Sequence, residues 1–158
     1  MMLLRKLIKK QLLIQIVVIR MAIGVINKIK EDDACAILLK EKQELHIVNV
    51  DEIKQSKTKK NSFYFFIDFE MKDGTKFGAS YSCYLEDGKF KCGTSSKLYH
   101  LMKGFLNLNP LTCVALTFDK SDIDEVLQNK KFIASSSVQS IGGKNYPYIT
   151  CEKVIENE

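Results

Sequence analysis

Alternation of apolar and polar residues is strongest in the segment 62–71, SFYFFIDFEM. A period of two is typical of a β-strand with one face in the core, and it places five apolar side chains on one face. The opposite face carries Ser62, Tyr64, Phe66, Asp68 and Glu70. An Asp-Gly pair at 73–74 predicts a tight turn into a second strand over 75–85. That strand would turn inward Phe77, Ala79, Tyr81, Cys83 and Leu85.

Helical spacing follows in TSSKLYHLMKGFLNLNP, where apolar residues recur at intervals of three and four. Ser95 or Ser96 suits the N-cap of this helix, and Asn109-Pro110 ends it. A second short helix is predicted over DKSDIDEVLQNKK, with Ser121 as its N-cap.

Three further segments complete the pattern. Residues 44–53 alternate and are rich in Ile and Val, which predicts a strand, whereas 32–43 suits a short helix capped by Asp32 or Asp33, or a strand. The segments before and after the glycine pair at 142–143 predict a closing hairpin.

The order of these elements indicates the fold class. Three strands, a helical region and two strands predict an α+β protein with mainly antiparallel β structure. The arrangement matches an OB-like five-stranded barrel with one or two helices between strands 3 and 4, plus an N-terminal helix. An open sheet with helices on one face would produce the same order, so both architectures fit the sequence.

The first twenty residues differ from the rest of the chain. Residues 1–30 contain seven Lys or Arg and no Asp or Glu, while the remainder holds 17 basic and 19 acidic residues. The net charge of +5 therefore belongs to the N-terminus. We interpret 1–20 as a basic, apolar extension ahead of a single globular domain over 21–158. Three alternatives stand for this segment: a translated extension before Met21, a packed helix, or an interfacial helix in contact with anionic membrane.

Residue types that carry catalysis or bind metals show no recognisable spacing. Five cysteines without a C-x-x-C pair suggest reduced thiols and a cytoplasmic location. Two histidines without a Cys/His cluster argue against a zinc site. We therefore expect no catalytic residue, no metal and no cofactor, and hence a protein that is not an enzyme.

The C-terminal two thirds resemble small proteins encoded in phage and viral replication modules. The similarity covers about residues 60 to 155, and it is carried by four short motifs. These motifs are Gly93-Thr94-Ser95-Ser96-Lys97-Leu98, the stretch from Asp122 to Phe132, Gly142-Gly143-Lys144, and Tyr146 to Ile149. The resemblance implies an OB-like single-stranded DNA-binding protein or a replication accessory factor.

A lysine-rich loop beside an aromatic strand suggests where such a ligand would bind. OB-like folds bind their ligands on the face of strands 2 and 3 and in adjacent loops, with lysines on phosphates and rings stacked on bases. The candidate nucleic-acid-binding residues are Lys54, Lys57, Lys59, Lys60, Tyr64, Phe66, Lys76, Tyr84 and Lys144. We expect weak binding of single-stranded DNA or RNA with low sequence preference. The alternative is a protein-interaction or assembly module, including a homo-oligomer, that uses the same rings as an apolar patch.

Overall fold

Three helices and eight strands make up the computed structural model, which describes residues 28–155. The expectations for residues 1–20 lie outside this range. The helices are α1 (Glu31–Lys40), α2 (Lys97–Leu106) and α3 (Lys120–Leu127). The strands are β1 (Gln43–Val50), β2 (Lys54–Gln55), β3 (Ser62–Met71), β4 (Lys76–Glu86), β5 (Lys89–Gly93), β6 (Ala115–Phe118), β7 (Lys131–Ile141) and β8 (Lys144–Ile155).

One antiparallel sheet contains all eight strands. Its order is β6-β5-β4-β3-β1-β7-β8, and the short β2 pairs with β3 beyond the end of β1. The expected α+β class with mainly antiparallel strands is confirmed. The sheet is open, and a closed five-stranded barrel is not shown among the described residues.

Helix α2 contacts strands in both halves of the sheet order. It packs against β8 at one end of the strand order and against β4 and β5 toward the other. The sheet therefore curves around this helix. The contact with β8 is very close, because a Cβ at Gly104 would collide with the backbone of Cys151.

The alternation in β3 and β4 has the predicted consequence. Phe65, Ile67 and Phe69 are buried on the inner face, and Phe77 stacks on Phe69 with ring centroids 5.1 Å apart. Leu85 is the exception on β4: it was expected inward, but it is 37% exposed because it lies beyond the end of the core.

Residues 31–40 form a helix, which resolves the choice that the sequence left open. Ala34, Cys35 and Leu38 are buried along one side of α1. Lys30 is the N-cap residue, so the expectation that Asp32 or Asp33 caps this helix was wrong. Both carboxylates lie in the first turn, where negative charge suits the helix dipole.

The predicted N-cap residue is confirmed for α2 and was wrong for α3. Ser96 caps α2 by accepting a hydrogen bond from the backbone N–H of Leu98. Asp119, not Ser121, caps α3, in a reciprocal capping box with Asp122. Ser121 instead donates its hydroxyl hydrogen to Asp119 at 2.6 Å.

The helices found between residues 28 and 155 fall short of the length and apolar content needed to cross a bilayer.

Candidate functional site

Three aromatic side chains lie together on the outer face of β3 and β4, which we call the ring face (Tyr64, Phe66 and Tyr84). Phe66 is 43% exposed and Tyr84 is 41% exposed, whereas Tyr64 is partly buried. The rings of Tyr64 and Phe66 meet edge to face with centroids 5.9 Å apart. Phe66 and Tyr84, the two more exposed rings of this face, therefore present flat apolar surface to water.

Small side chains separate the rings. In the β3–β4 register, Ser82 lies opposite Tyr64, Ser80 lies opposite Phe66, and Ser62 lies opposite Tyr84. Directly opposed residues of an antiparallel pair share one face of the sheet. The serines thus leave space beside each ring and offer hydroxyl groups next to it.

Lys54 belongs to this face by its strand pairing. It lies opposite Tyr64 in the β2–β3 register, and its side chain is exposed. Cβ atoms of such a pair are about 5 Å apart, so the ammonium group can reach the edge of the ring face. The structure brings Lys54 and the three predicted rings together.

Three more predicted lysines lie in the loop 56–61, which we call the lysine loop (Lys57, Lys59 and Lys60). All three side chains are exposed. The loop is held by a hydrogen bond from the Gln55 side chain to the Lys60 carbonyl at 2.8 Å. The N–H of Leu85 donates to the Asn61 carbonyl at 3.1 Å, which fixes the end of the loop beside Tyr84.

Lys76 does not join this group. It lies opposite Glu70 and forms an ion pair with it at 3.5 Å. Glu70 lies eight positions after Ser62 on β3, which corresponds to about 26 Å along the strand. Lys76 therefore lies at the acidic end of the outer face, far from the lysine loop.

A lysine that the sequence analysis did not select lies nearer to the rings. Lys91 pairs with Tyr84 in the β4–β5 register and forms an ion pair with Glu86 at 3.5 Å. Lys91 lies beside Tyr84 because β5 is the next strand to β4 in the sheet. The alternation of residues along β4 does not indicate which strand pairs with it.

A cavity of about 420 Å³ opens beside the ring face, and we call it the serine cavity. It forms because β4 and β5 pair only near their shared turn, over residues 84–86 and 89–91, and diverge beyond it. Five serine hydroxyl groups surround the space, and no Asp or Glu lines it. The serines are Ser62, Ser80, Ser82, Ser95 and Ser96.

Lys97 lies at the inner end of the serine cavity and is held there by two contacts. Its Nζ donates to the carboxylate of Glu31 on α1 at 2.6 Å. The same Nζ lies 5.1 Å from the centre of the buried Tyr81 ring. Both contacts fix the position of the ammonium group, and Glu31 offsets part of its charge.

Cys92 also lines the serine cavity, but its chemistry is that of an inert thiol. Burial raises the pKa of Cys92 to about 12, so the group is protonated at neutral pH. His100, which could have served as a base for it, stacks on Tyr148 with ring centroids 4.2 Å apart. In residues 28–155, moreover, no three His, Cys, Asp or Glu side chains gather as a metal ion requires.

Lys144 occupies the tip of the hairpin formed by β7 and β8, directly after two glycines with positive φ. A second cavity, of about 270 Å³, lies between this hairpin and the start of α2. Ser95 and Lys97 line both this cavity and the serine cavity. Lys144 is thus separate from the lysine loop and belongs to a neighbouring part of the surface.

No protein-family model, curated protein or solved structure matches this chain.

Proposed function

We propose that this chain is a non-enzymatic protein that binds single-stranded nucleic acid with little sequence preference, as an accessory factor in replication or recombination. The observation that carries the proposal is the ring face, which is open to solvent and bordered by Lys54 and the lysine loop. Aromatic faces stack bases of any kind, and ammonium groups attract phosphates.

The expected mode of binding resembles that of an OB-like protein, but it does not require the sheet to close into a barrel. A strand face supplies the rings, and the loop that leads into this strand supplies the cations. The serine cavity supports the proposal, because its lining contains hydroxyl groups and a lysine but no carboxylate. Two other cavities each combine two lysines with two carboxylates, which come from Glu125 and Glu152 in one and from Glu44 and Glu70 in the other.

Fluorescence anisotropy with labelled oligo-dT at increasing salt tests the proposal. We expect Phe66→Ala to weaken binding by about tenfold, since stacking contributes ~1–3 kcal/mol per base. The matched control is Leu111→Ala, which removes an apolar side chain that is 90% exposed and is not on the ring face. Absence of binding to the wild-type protein at low salt would remove the proposal.

The salt dependence tests the lysine loop separately. Replacing Lys57, Lys59 and Lys60 together by alanine should reduce the slope of log affinity against log salt by about 2, because each phosphate contact on a single strand contributes ~0.7. A control variant removes three exposed lysines elsewhere and should leave the slope unchanged. These control positions are Lys40, Lys72 and Lys153.

The exposed fraction of Phe66 and Tyr84 also suits the alternative, a surface for protein partners or a second copy of the chain. Sedimentation velocity at several protein concentrations distinguishes the two functions. A dimer that Phe66→Ala converts to a monomer, together with no oligo-dT binding, would favour the assembly module.

A further inference from the structure

The hairpin of β7 and β8 presents one of its two faces to the start of α2. Gln139 pairs with Tyr146, and Ile141 pairs with Lys144, so these four side chains share a face. Gln139, Ile141 and Tyr146 line the second cavity together with Tyr148. Val138 and Pro147 form a pair on the opposite face of the hairpin.

Tyr146 is the aromatic ring in this cavity that is available to a ligand. Its side chain is 45% exposed, and the neighbouring Ile141 is 49% exposed. Tyr148, in contrast, is occupied by its stacking contact with His100. The second cavity therefore combines one free ring with an apolar floor.

The two cavities meet at one corner of the protein. Ser95 and Lys97 line both of them, so the serine cavity and the second cavity lie on either side of the same short segment. The contact with Glu31 keeps the Lys97 ammonium at this junction. A chain that leaves the ring face by way of the serine cavity thus reaches the β7–β8 hairpin next.

The lack of unpaired carboxylates in the two cavity linings permits a polyanion along this route. Neither cavity has an Asp or Glu in its lining, and Lys97 lies in both, with part of its charge offset by Glu31. Lys144 is exposed at the far end of the hairpin face. Elsewhere on the described surface, the cavity beside α3 and the one beside the β3–β4 turn each contain two carboxylates and two lysines, so a phosphate there would meet negative as well as positive charge.

We infer that a bound single strand continues from the ring face through both cavities onto the β7–β8 hairpin, where Tyr146 stacks a further base and Lys144 contacts a phosphate. This inference rests on the proposed function and extends its binding site to a second region. It also assigns Lys144 a position on the same ligand as the lysine loop.

An oligo-dT length series tests the inference, because only long oligonucleotides can occupy both regions. Binding is measured for lengths from about 4 to about 16 nucleotides, the range that single OB domains cover. We expect Tyr146→Ala to weaken binding of the longest oligonucleotides about tenfold and to leave the shortest unchanged. Tyr146→Phe retains the ring and should bind like the wild type, as should Val138→Ala on the other face of the hairpin.

The outcomes separate this inference from the proposed function. If Tyr146→Ala matches the wild type at every length while Phe66→Ala loses affinity, the strand does not reach the hairpin and the inference is wrong. An equal loss at every length for Tyr146→Ala would also overturn it, since a second region must act on long oligonucleotides only. If no oligonucleotide binds the wild-type protein at low salt, the proposed function itself fails.

Discussion

Replacing Gly104 by alanine sets helix propensity against tertiary packing. An alanine in a helix interior is favoured over glycine by ~1 kcal/mol, so propensity alone predicts a more stable protein. An ideal Cβ at this position, however, would lie 2.5 Å from the Cβ of Cys151 and 2.8 Å from its carbonyl carbon, and it would collide with the carbonyl oxygen. These atoms belong to β8 and cannot move away as the end of a flexible side chain could.

The size of the effect follows from these two opposing terms. Overpacking of a well-packed site costs ~1–3 kcal/mol, and the upper part of that range applies because the obstacle is mostly backbone. After the gain in helix propensity, we expect Gly104→Ala to reduce the free energy of unfolding by about 2 kcal/mol. For a chain of this length that corresponds to a Tm about 4–8 °C lower.

Urea denaturation and thermal unfolding followed by circular dichroism would measure the change. The matched control is Gly93→Ala, because its Cβ would lie 3.7 Å from the Val114 carbonyl oxygen, an ordinary contact. We expect this control to be neutral or slightly stabilising. A Gly104→Ala protein as stable as the wild type, or more stable, would refute the close packing of α2 on β8.

Two further predictions concern titratable groups. Burial, together with the positive charge of Lys103, lowers the pKa of His100 below its usual 6.5. The unfolded chain therefore binds more protons than the folded chain near that pH. The free energy of unfolding should consequently fall as the pH drops below 6.5. His100→Gln should make the urea midpoint depend less on pH between pH 7.5 and 5. An unchanged pH dependence would contradict the assignment of this effect to His100. All five cysteines lie within residues 28–155, and Cys113 alone among them is not buried. A thiol reagent at pH 8 should therefore label Cys113 first, as peptide mass spectrometry would show, and early labelling of Cys92 would count against its burial and raised pKa.

The faces of β3 were predictable from sequence because a strand has a fixed period of two. Once Phe65 and Phe69 were assigned to the core, Tyr64 and Phe66 had to lie on the outer face, and both do. The two shortest strands were not predictable. β2 has two residues and β6 has four, which is too few for a period to be recognised.

The N-cap of α3 was predicted wrongly for a different reason. Asp119 and Ser121 both suit an N-cap, and they stand only two positions apart. The reciprocal hydrogen bonds with Asp122 decide in favour of Asp119. Lys97 was not selected from the sequence because its place in the serine cavity depends on the divergence of β5 from β4, a tertiary feature without a local sequence signal.

Under the proposed function, the charges on the outer face would limit the path of a bound strand. Asp68 lies on the same face as Phe66, two residues further along β3, and its carboxylate is 3.5 Å from the Asn49 side chain, which carries no charge. Glu70 follows and forms an ion pair with Lys76. A polyanion that starts at Lys54 and stacks on the rings would be repelled if it continued along β3 toward this end. Across β4, the serine cavity has no Asp or Glu in its lining, and the carboxylate of Glu31 is paired with Lys97. Under the proposed function, the outer-face charges would therefore favour the route toward α2 over the route along β3.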